Sequence, residues 1–282
     1  LRLVGSEMCI RDRLTTIGLM ALLGCFTGFL AGLLGIGGGM IITPFLIMLI
    51  PSSLIPHDHI VHVAIATSLA TIAFTSLSSV RAHHKRGAVL WNVVASVAPG
   101  ILIGAVLGAQ IAGWLSAFCI SIVFAVFVGF SAIKMFMNKS PRPDRNLPGT
   151  IGKFFMGIAI GVLSALVGAG GGFISVPLMV WCNVKMQNAV ATSAAFGFPI
   201  ALFGTIGYII SGWNVQDLPP WPIDLGYICI PALFAVAIPS VLLAPVGAKI
   251  AHSIDTKPLK KVFACLLFFV CIYMLRQAYL AM

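Results

Sequence analysis

The stretch Gly35-Ile36-Gly37-Gly38-Gly39-Met40-Ile41-Ile42-Thr43-Pro44 has a second copy in pattern, Gly168-Ala169-Gly170-Gly171-Gly172-Phe173-Ile174-Ser175-Val176-Pro177. Each copy ends an apolar run, and each places a proline five residues after its last glycine. A glycine inside a helix costs about 1 kcal/mol relative to alanine, so three in succession break one. In hydrocarbon, irregular backbone survives only where it is buried in protein or lines a wet cavity. The same break in corresponding places of two halves points to a transport site.

The surrounding composition sets the class. Of 282 residues, 60% are hydrophobic and 9% charged, with a mean hydropathy of +1.07. Apolar runs near spanning length recur from end to end, which predicts an all-α, polytopic helical membrane protein with the lipid bilayer as its surroundings. The alternating segments of a transmembrane barrel are absent. The net charge of +10 comes from lysines and arginines in short loops, as in cytoplasmic connections, and predicts no nucleic-acid partner. Cys9, Cys25, Cys119, Cys182, Cys229, Cys265 and Cys271 are scattered without a paired motif. They read as small hydrophobes, with no disulfide framework, metal site or cofactor expected.

Residues 1–13 carry five charges and differ from the apolar chain after them, so they are read as a non-native or disordered segment outside the fold. The remainder, 14–282, reads as a single transmembrane domain. Its apolar segments are Leu14–Leu34, Met40–Ile50, Ile60–Val80, Leu90–Leu107 and Phe118–Met137, then Phe154–Val167, Phe173–Cys182, Ala189–Ile210, Leu225–Val246 and Leu259–Leu280. The pieces after the two breaks are half-length. Residues 108–117 are expected to be an uncharged connection.

The repeat extends beyond the glycines. Ala64-Ile65-Ala66-Thr67-Ser68 matches Ala189-Val190-Ala191-Thr192-Ser193, and Gly108-Ala109-Gln110-Ile111-Ala112 matches Gly247-Ala248-Lys249-Ile250-Ala251. The halves are roughly 14–137 and 151–282. If each break interrupts a full span, the halves are parallel and the lysines of 249–261 lie outside, against the positive-inside tendency. If each break is the tip of a re-entrant hairpin, 81–87, 138–153, Lys185 and 249–261 all fall inside. The acidic or uncharged loops 51–58, 109–116 and 212–224 then fall outside. One assumption reconciles every loop, so inverted repeats with re-entrant broken helices are the preferred reading.

A break at this depth exposes backbone N–H groups, and the half-helix after it presents its positive end, which together favour an anion. The candidate substrate-binding residues are Gly37, Gly38, Gly39, Gly170, Gly171 and Gly172, with the hydroxyls of Thr67, Ser68, Thr192 and Ser193. Thr71, Thr75 and Ser76 are read as packing. No carboxylate falls within a spanning segment, whereas cation pathways and carboxylate proton relays place Asp or Glu there. His57, His59 and His62 are read as a solvated interfacial cluster, and His83 and His84 as part of a lipid-facing loop. With no acid–base group expected inside the bundle, catalysis is not expected, and no catalytic residue is assigned. A passive anion channel is the alternative within the same class.

The paired glycine blocks, each followed by Ala-x-Ala-Thr-Ser, together with His84-x-x-Gly87-x-Val89-x-Trp91, resemble the sulfite exporter TauE/SafE family of membrane permeases. The resemblance covers essentially all of 14–282. It implies a secondary transporter of the bacterial plasma (inner) membrane for a small sulfur-containing or organic anion such as sulfite or a sulfonate. Pro199 departs from strict equivalence of the halves.

Overall fold

Each of the ten apolar segments forms a helix in the computed structural model. These are α1 (Arg2–Leu34), α2 (Gly39–Leu49), α3 (His57–His84), α4 (Trp91–Trp114), α5 (Ala117–Met137), α6 (Thr150–Val167), α7 (Gly172–Trp181), α8 (Met186–Gly212), α9 (Ile230–Ala251) and α10 (Lys257–Leu280). A short antiparallel ladder, β1 (Ile223–Leu225) with β2 (Ile228–Cys229), precedes α9. The structure describes residues 2–34, 38–50, 55–137, 148–213, 215, 223–251 and 257–280, the side chains of 2–14, 34, 57, 223–224 and 257–263 excepted.

Among the described residues, seven helices (α1, α3, α4, α5, α6, α8 and α9) are long and apolar enough to cross a membrane. The chain is a polytopic helical membrane protein. By contrast, α2 and α7, at 11 and 10 residues, are about half as long as a bilayer requires.

Three boundaries differ from the sequence-based expectation. Gly226, at φ 56°, turns β1 back into β2, so the helix expected from Leu225 begins only at Ile230. The expected connection at 108–117 is helical as far as Trp114, because Gly108 continues the face that α4 packs on Val162. Residues 2–13, expected outside the fold, extend α1 as helix.

Glycines at every fourth position set the closest helix pairs. Gly24, Gly28 and Gly32 of α1 lie flush on Val236, Ser240 and Ala244 of α9. Gly100, Gly104 and Gly108 of α4 lie flush on Phe154, Ile158 and Val162 of α6, which answers with Gly157 and Gly161. That spacing keeps the glycines on one helix face. In lipid, where apolar burial drives no association, such close backbone approach supplies the van der Waals contact instead.

These contacts also give helix directions, since rising numbers on one helix meet rising numbers on a parallel partner. By this measure α1 runs parallel to α9, and α4 runs parallel to α6. Thr75 meets Ser240 and Arg86 meets Ala248, so α3 is parallel to α9. Leu90 meets Thr192 and Gln110 meets Gly207, so α4 is parallel to α8. Leu69 meets Gly204 while Ser76 meets Gly197, so α3 crosses α8 antiparallel. Hence α1 and α3 share a direction, as do α6 and α8 in the opposite sense, with one short helix lying between the members of each pair in the chain. Exchanging the two halves maps the α1–α9 pair onto α6–α4 and the α3–α8 pair onto itself. With these directions, Arg81, Lys85, Arg86, Lys153, Lys185 and Lys249 all fall at one end of the bundle.

Candidate functional site

Two glycines start the half-helices with the same unusual backbone. Gly38 precedes α2 at φ 74°, ψ −12°, and Gly171 precedes α7 at φ 75°, ψ −12°. An L side chain in this left-handed region costs about 1–2 kcal/mol, so glycine is the residue that fits. The Ile41 and Ile174 amides already meet the Gly38 and Gly171 carbonyls at 3.1 and 3.2 Å, whereas the amides before them in each helix have no intrahelical carbonyl to meet and carry the positive end of the helix dipole.

The two breaks touch. A methyl group on Gly39 would overlap the carbonyl oxygen of Gly168, and one on Gly197 of α8 would come within 3.5 Å of the Gly170 carbonyl and 3.3 Å of Ser76. The meeting point therefore lies where α3 crosses α8, one of several helix pairs that join the halves. Gly38, Gly39, Gly170, Gly171 and Gly172 are all buried. Gly37 lies outside the described residues.

The predicted hydroxyls divide into two kinds. Ser68 lies at the break itself, its Oγ donating to the carbonyls of Gly168 at 3.3 Å and Gly39 at 3.5 Å. Ser193 sits beside α7 and accepts from Ser175 Oγ at 2.9 Å. The two threonines instead fasten the opposite half. Thr67 Oγ1 accepts the Cys229 amide at 3.0 Å, and Thr192 Oγ1 accepts the Leu90 amide at 3.0 Å. Cys229 and Leu90 immediately precede α9 and α4, so each threonine satisfies an orphan donor at a helix start of the other half. Thr71 and Thr75 bond the carbonyls one turn back, and Thr75 also meets Ser240, as packing residues do.

Two further hydroxyls flank the breaks and were missed from the sequence. Thr43 Oγ1 and Ser164 Oγ are buried without a hydrogen-bond partner among the described residues. A methyl on Gly168 would lie 2.9 Å from Thr43 Oγ1, and one on Gly171 would lie 3.4 Å from Ser164 Oγ. A buried unpaired hydroxyl costs about 1–3 kcal/mol, and a ligand accepting from it removes that cost. The available signal was position alone, Thr43 directly before Pro44 and Ser164 one turn ahead of Gly168.

The histidine reading requires correction. His62 is only 3% exposed, stacked on Tyr227 with ring centroids 5.2 Å apart, and its Nε2 lies 3.1 Å from the Ala112 carbonyl. It is a buried residue that ties α3 to the end of α4, rather than a solvated interfacial one. His83, expected in a lipid-facing loop, is fully buried, with Nε2 3.1 Å from the Gly32 carbonyl. Two imidazoles therefore do lie within the bundle. His84 is exposed and accepts the Trp91 indole N–H at 3.1 Å. Trp91, Trp114, Trp181 and Trp213 are exposed at helix ends, where amphipathic rings favour the bilayer interface.

A bundle of spanning-length helices, with paired broken helices meeting at its centre, defines a membrane transporter. The comparison with known families agrees in class and is specific: the chain belongs to the sulfite exporter TauE/SafE family, whose model matches residues 20–274. A "Probable membrane transporter protein" of Haemophilus influenzae is 33% identical over 261 residues, covering 92% of this chain and 98% of its own. One of Methanocaldococcus jannaschii is 27% identical over 268 residues, covering 93% and 96%. A third, YdhB of Bacillus subtilis, is 30% identical over 194 residues, covering 66% and 76%. No solved structure gives a significant match.

Proposed function

We propose that this protein is a secondary transporter of the bacterial plasma (inner) membrane, and that it moves a small sulfur-containing or organic anion such as sulfite or a sulfonate. The observation that carries the proposal is the contact between the two breaks at Gly39 and Gly168, within the α3–α8 crossing. α2 begins at that contact and α7 begins four residues after Gly168, so in this reading both sets of first-turn amides serve one site. Those fixed dipoles replace the water that an oxyanion gives up, and they favour negative charge. Ser68, Thr43 and Ser164 add hydroxyls within the same region. The anion is bound and released with no bond made or broken, so the protein is not an enzyme.

The helix directions support inverted repeats. α1 and α3 point one way, α6 and α8 the other, and Arg81, Lys85, Arg86, Lys153, Lys185 and Lys249 gather at a single end. Placed in a membrane by the positive-inside tendency, that end faces the cytoplasm, and α2 and α7 are re-entrant arms reaching the centre from opposite faces. Alternating access then consists of one half moving against the other about the α3–α8 crossing. The cross-half bonds of Thr67 and Thr192 keep the moving parts in register.

Reconstituted vesicles loaded with labelled sulfite, thiosulfate, sulfoacetate, taurine or simple carboxylates test the proposal. Saturable flux of at least one anion, driven by an imposed gradient, is expected. Flux that rises linearly with concentration would instead identify a passive channel, and equal flux in protein-free vesicles would defeat both.

A further inference from the structure

A groove of about 480 Å³ lies at the basic end between α3 and α9, away from the glycine breaks. Its floor is apolar, made by Phe74, Leu77, Val241 and Pro245, and its rim carries Arg81, Lys85, Arg86 and Lys249. Among the described residues no carboxylate lines it. Phe74 is 53% exposed on the outer surface of the bundle, so the floor opens toward the position of lipid chains. Arg86 is held in place by donating to the Ala248 carbonyl in the last turn of α9 at 2.8 Å, which fixes one cation across the two helices. Ser78 is turned inward, donating to the Val241 carbonyl at 2.8 Å, and leaves the floor below the rim apolar.

Apolar walls beneath a ring of cations, at the end of a spanning bundle, match an amphiphile with a negative head. A small free anion would use the rim and leave the floor wet. A phospholipid uses both, with its phosphate among the arginines and lysines and its chains along Phe74 and Leu77. We infer that this groove is a specific binding site for an anionic phospholipid headgroup. The lipid there bridges α3 and α9, which belong to different halves, and so braces the interface across which transport motion occurs. This site is independent of the identity of the transported anion.

The test is native mass spectrometry of the detergent-purified full chain, titrated with phosphatidylglycerol and, separately, with phosphatidylcholine. The wild-type protein should retain phosphatidylglycerol in preference. Arg81→Gln combined with Lys85→Gln should weaken that retention about 30-fold, from about 1 kcal/mol for each cation near an anionic lipid. Lys153→Gln, a cation at the same end but outside the groove, should leave it unchanged. Arg81→Lys should keep most of the binding, which separates lost charge from lost folding. Equal retention of the two lipids, or equal phosphatidylglycerol binding by wild type and the double variant, overturns the inference. It is also overturned if inorganic phosphate displaces the lipid at matched concentration, since the site would then be one for a free anion. A rise in the KM for the transported anion with lipid retention unchanged would likewise overturn it and make the rim part of the substrate entrance.

Discussion

Ser68 Oγ lies 3.3 Å from the carbonyl oxygen of Gly168, so a helix of the first half reaches the glycine break of the second. The same hydroxyl is 3.5 Å from the Gly39 carbonyl, beside the first break. One side chain thus spans the start of α2 and the end of α6 at the place where α3 crosses α8. A hydroxyl so placed can exchange a carbonyl for a bound oxyanion with a small rotation about one bond. Ser68→Ala should cut flux by roughly 10-fold or more, since a hydrogen bond to a charged partner contributes about 1.5–3 kcal/mol. Thermal stability should change little, because the two bonds it loses are long. Unchanged flux would remove Ser68 from the site.

Backbone conformation makes the second prediction. Gly38→Val and Gly171→Val should each abolish transport while the protein still inserts, as both sites hold φ near +75° and Gly171 also packs on Ile200. Gly39→Ala should do the same by a different route, pushing the two breaks apart. Flux assays paired with membrane fractionation distinguish lost function from lost insertion, and normal flux in the Gly38 and Gly171 variants would contradict a site built on the breaks.

Thr43 and Ser164 make a sharper pair. Each hydroxyl is buried and unpartnered among the described residues, so replacing it with an apolar isostere removes a cost to the folded state. Thr43→Val and Ser164→Ala should therefore leave the melting temperature equal or raised while the KM for the anion increases. Loss of stability with an unchanged KM would make both structural.

For the threonines the expectation is reversed. Thr67→Val and Thr192→Val each strand a backbone amide at a helix start, of Cys229 and Leu90 respectively, at a cost of about 1–3 kcal/mol. Thermal unfolding should show a loss of similar size in both variants, and Thr→Ser at either position should restore most of it. Transport by whatever protein remains folded should have a near-normal KM.

Much of this arrangement was legible in the chain itself. The ten apolar runs became ten helices, and the two glycine blocks became matched left-handed starts, because local backbone cost and hydrophobic length act within a few residues. Partners far apart in sequence were not legible. Thr67 and Thr192 read as candidate substrate-binding hydroxyls beside the breaks, and nothing local shows that their oxygens also accept amides of the opposite half. His62 and His83 looked interfacial from their polar neighbours, yet tertiary packing buries both against carbonyls of other helices. The fourth-residue glycines of α1 and α4 are different, because their spacing alone marks one helix face for close packing.

Topology follows from the charge distribution. A reporter enzyme active only outside the cytoplasm, fused after Trp114 at the end of α4, should be active, and the same reporter fused after Met137 should be silent. The opposite pattern would turn the bundle over in the membrane, and activity at both points would remove the spanning assignment of α5.

An anion held between the two breaks can be observed directly. The measurement is anomalous diffraction from crystals containing a selenium or bromine analogue of the anion selected by the flux panel. A single strong peak is predicted within hydrogen-bond reach of the first-turn amides of α2 and α7, beside Ser68. A peak in the basic groove between α3 and α9, or at any other site, with none at the breaks would contradict it.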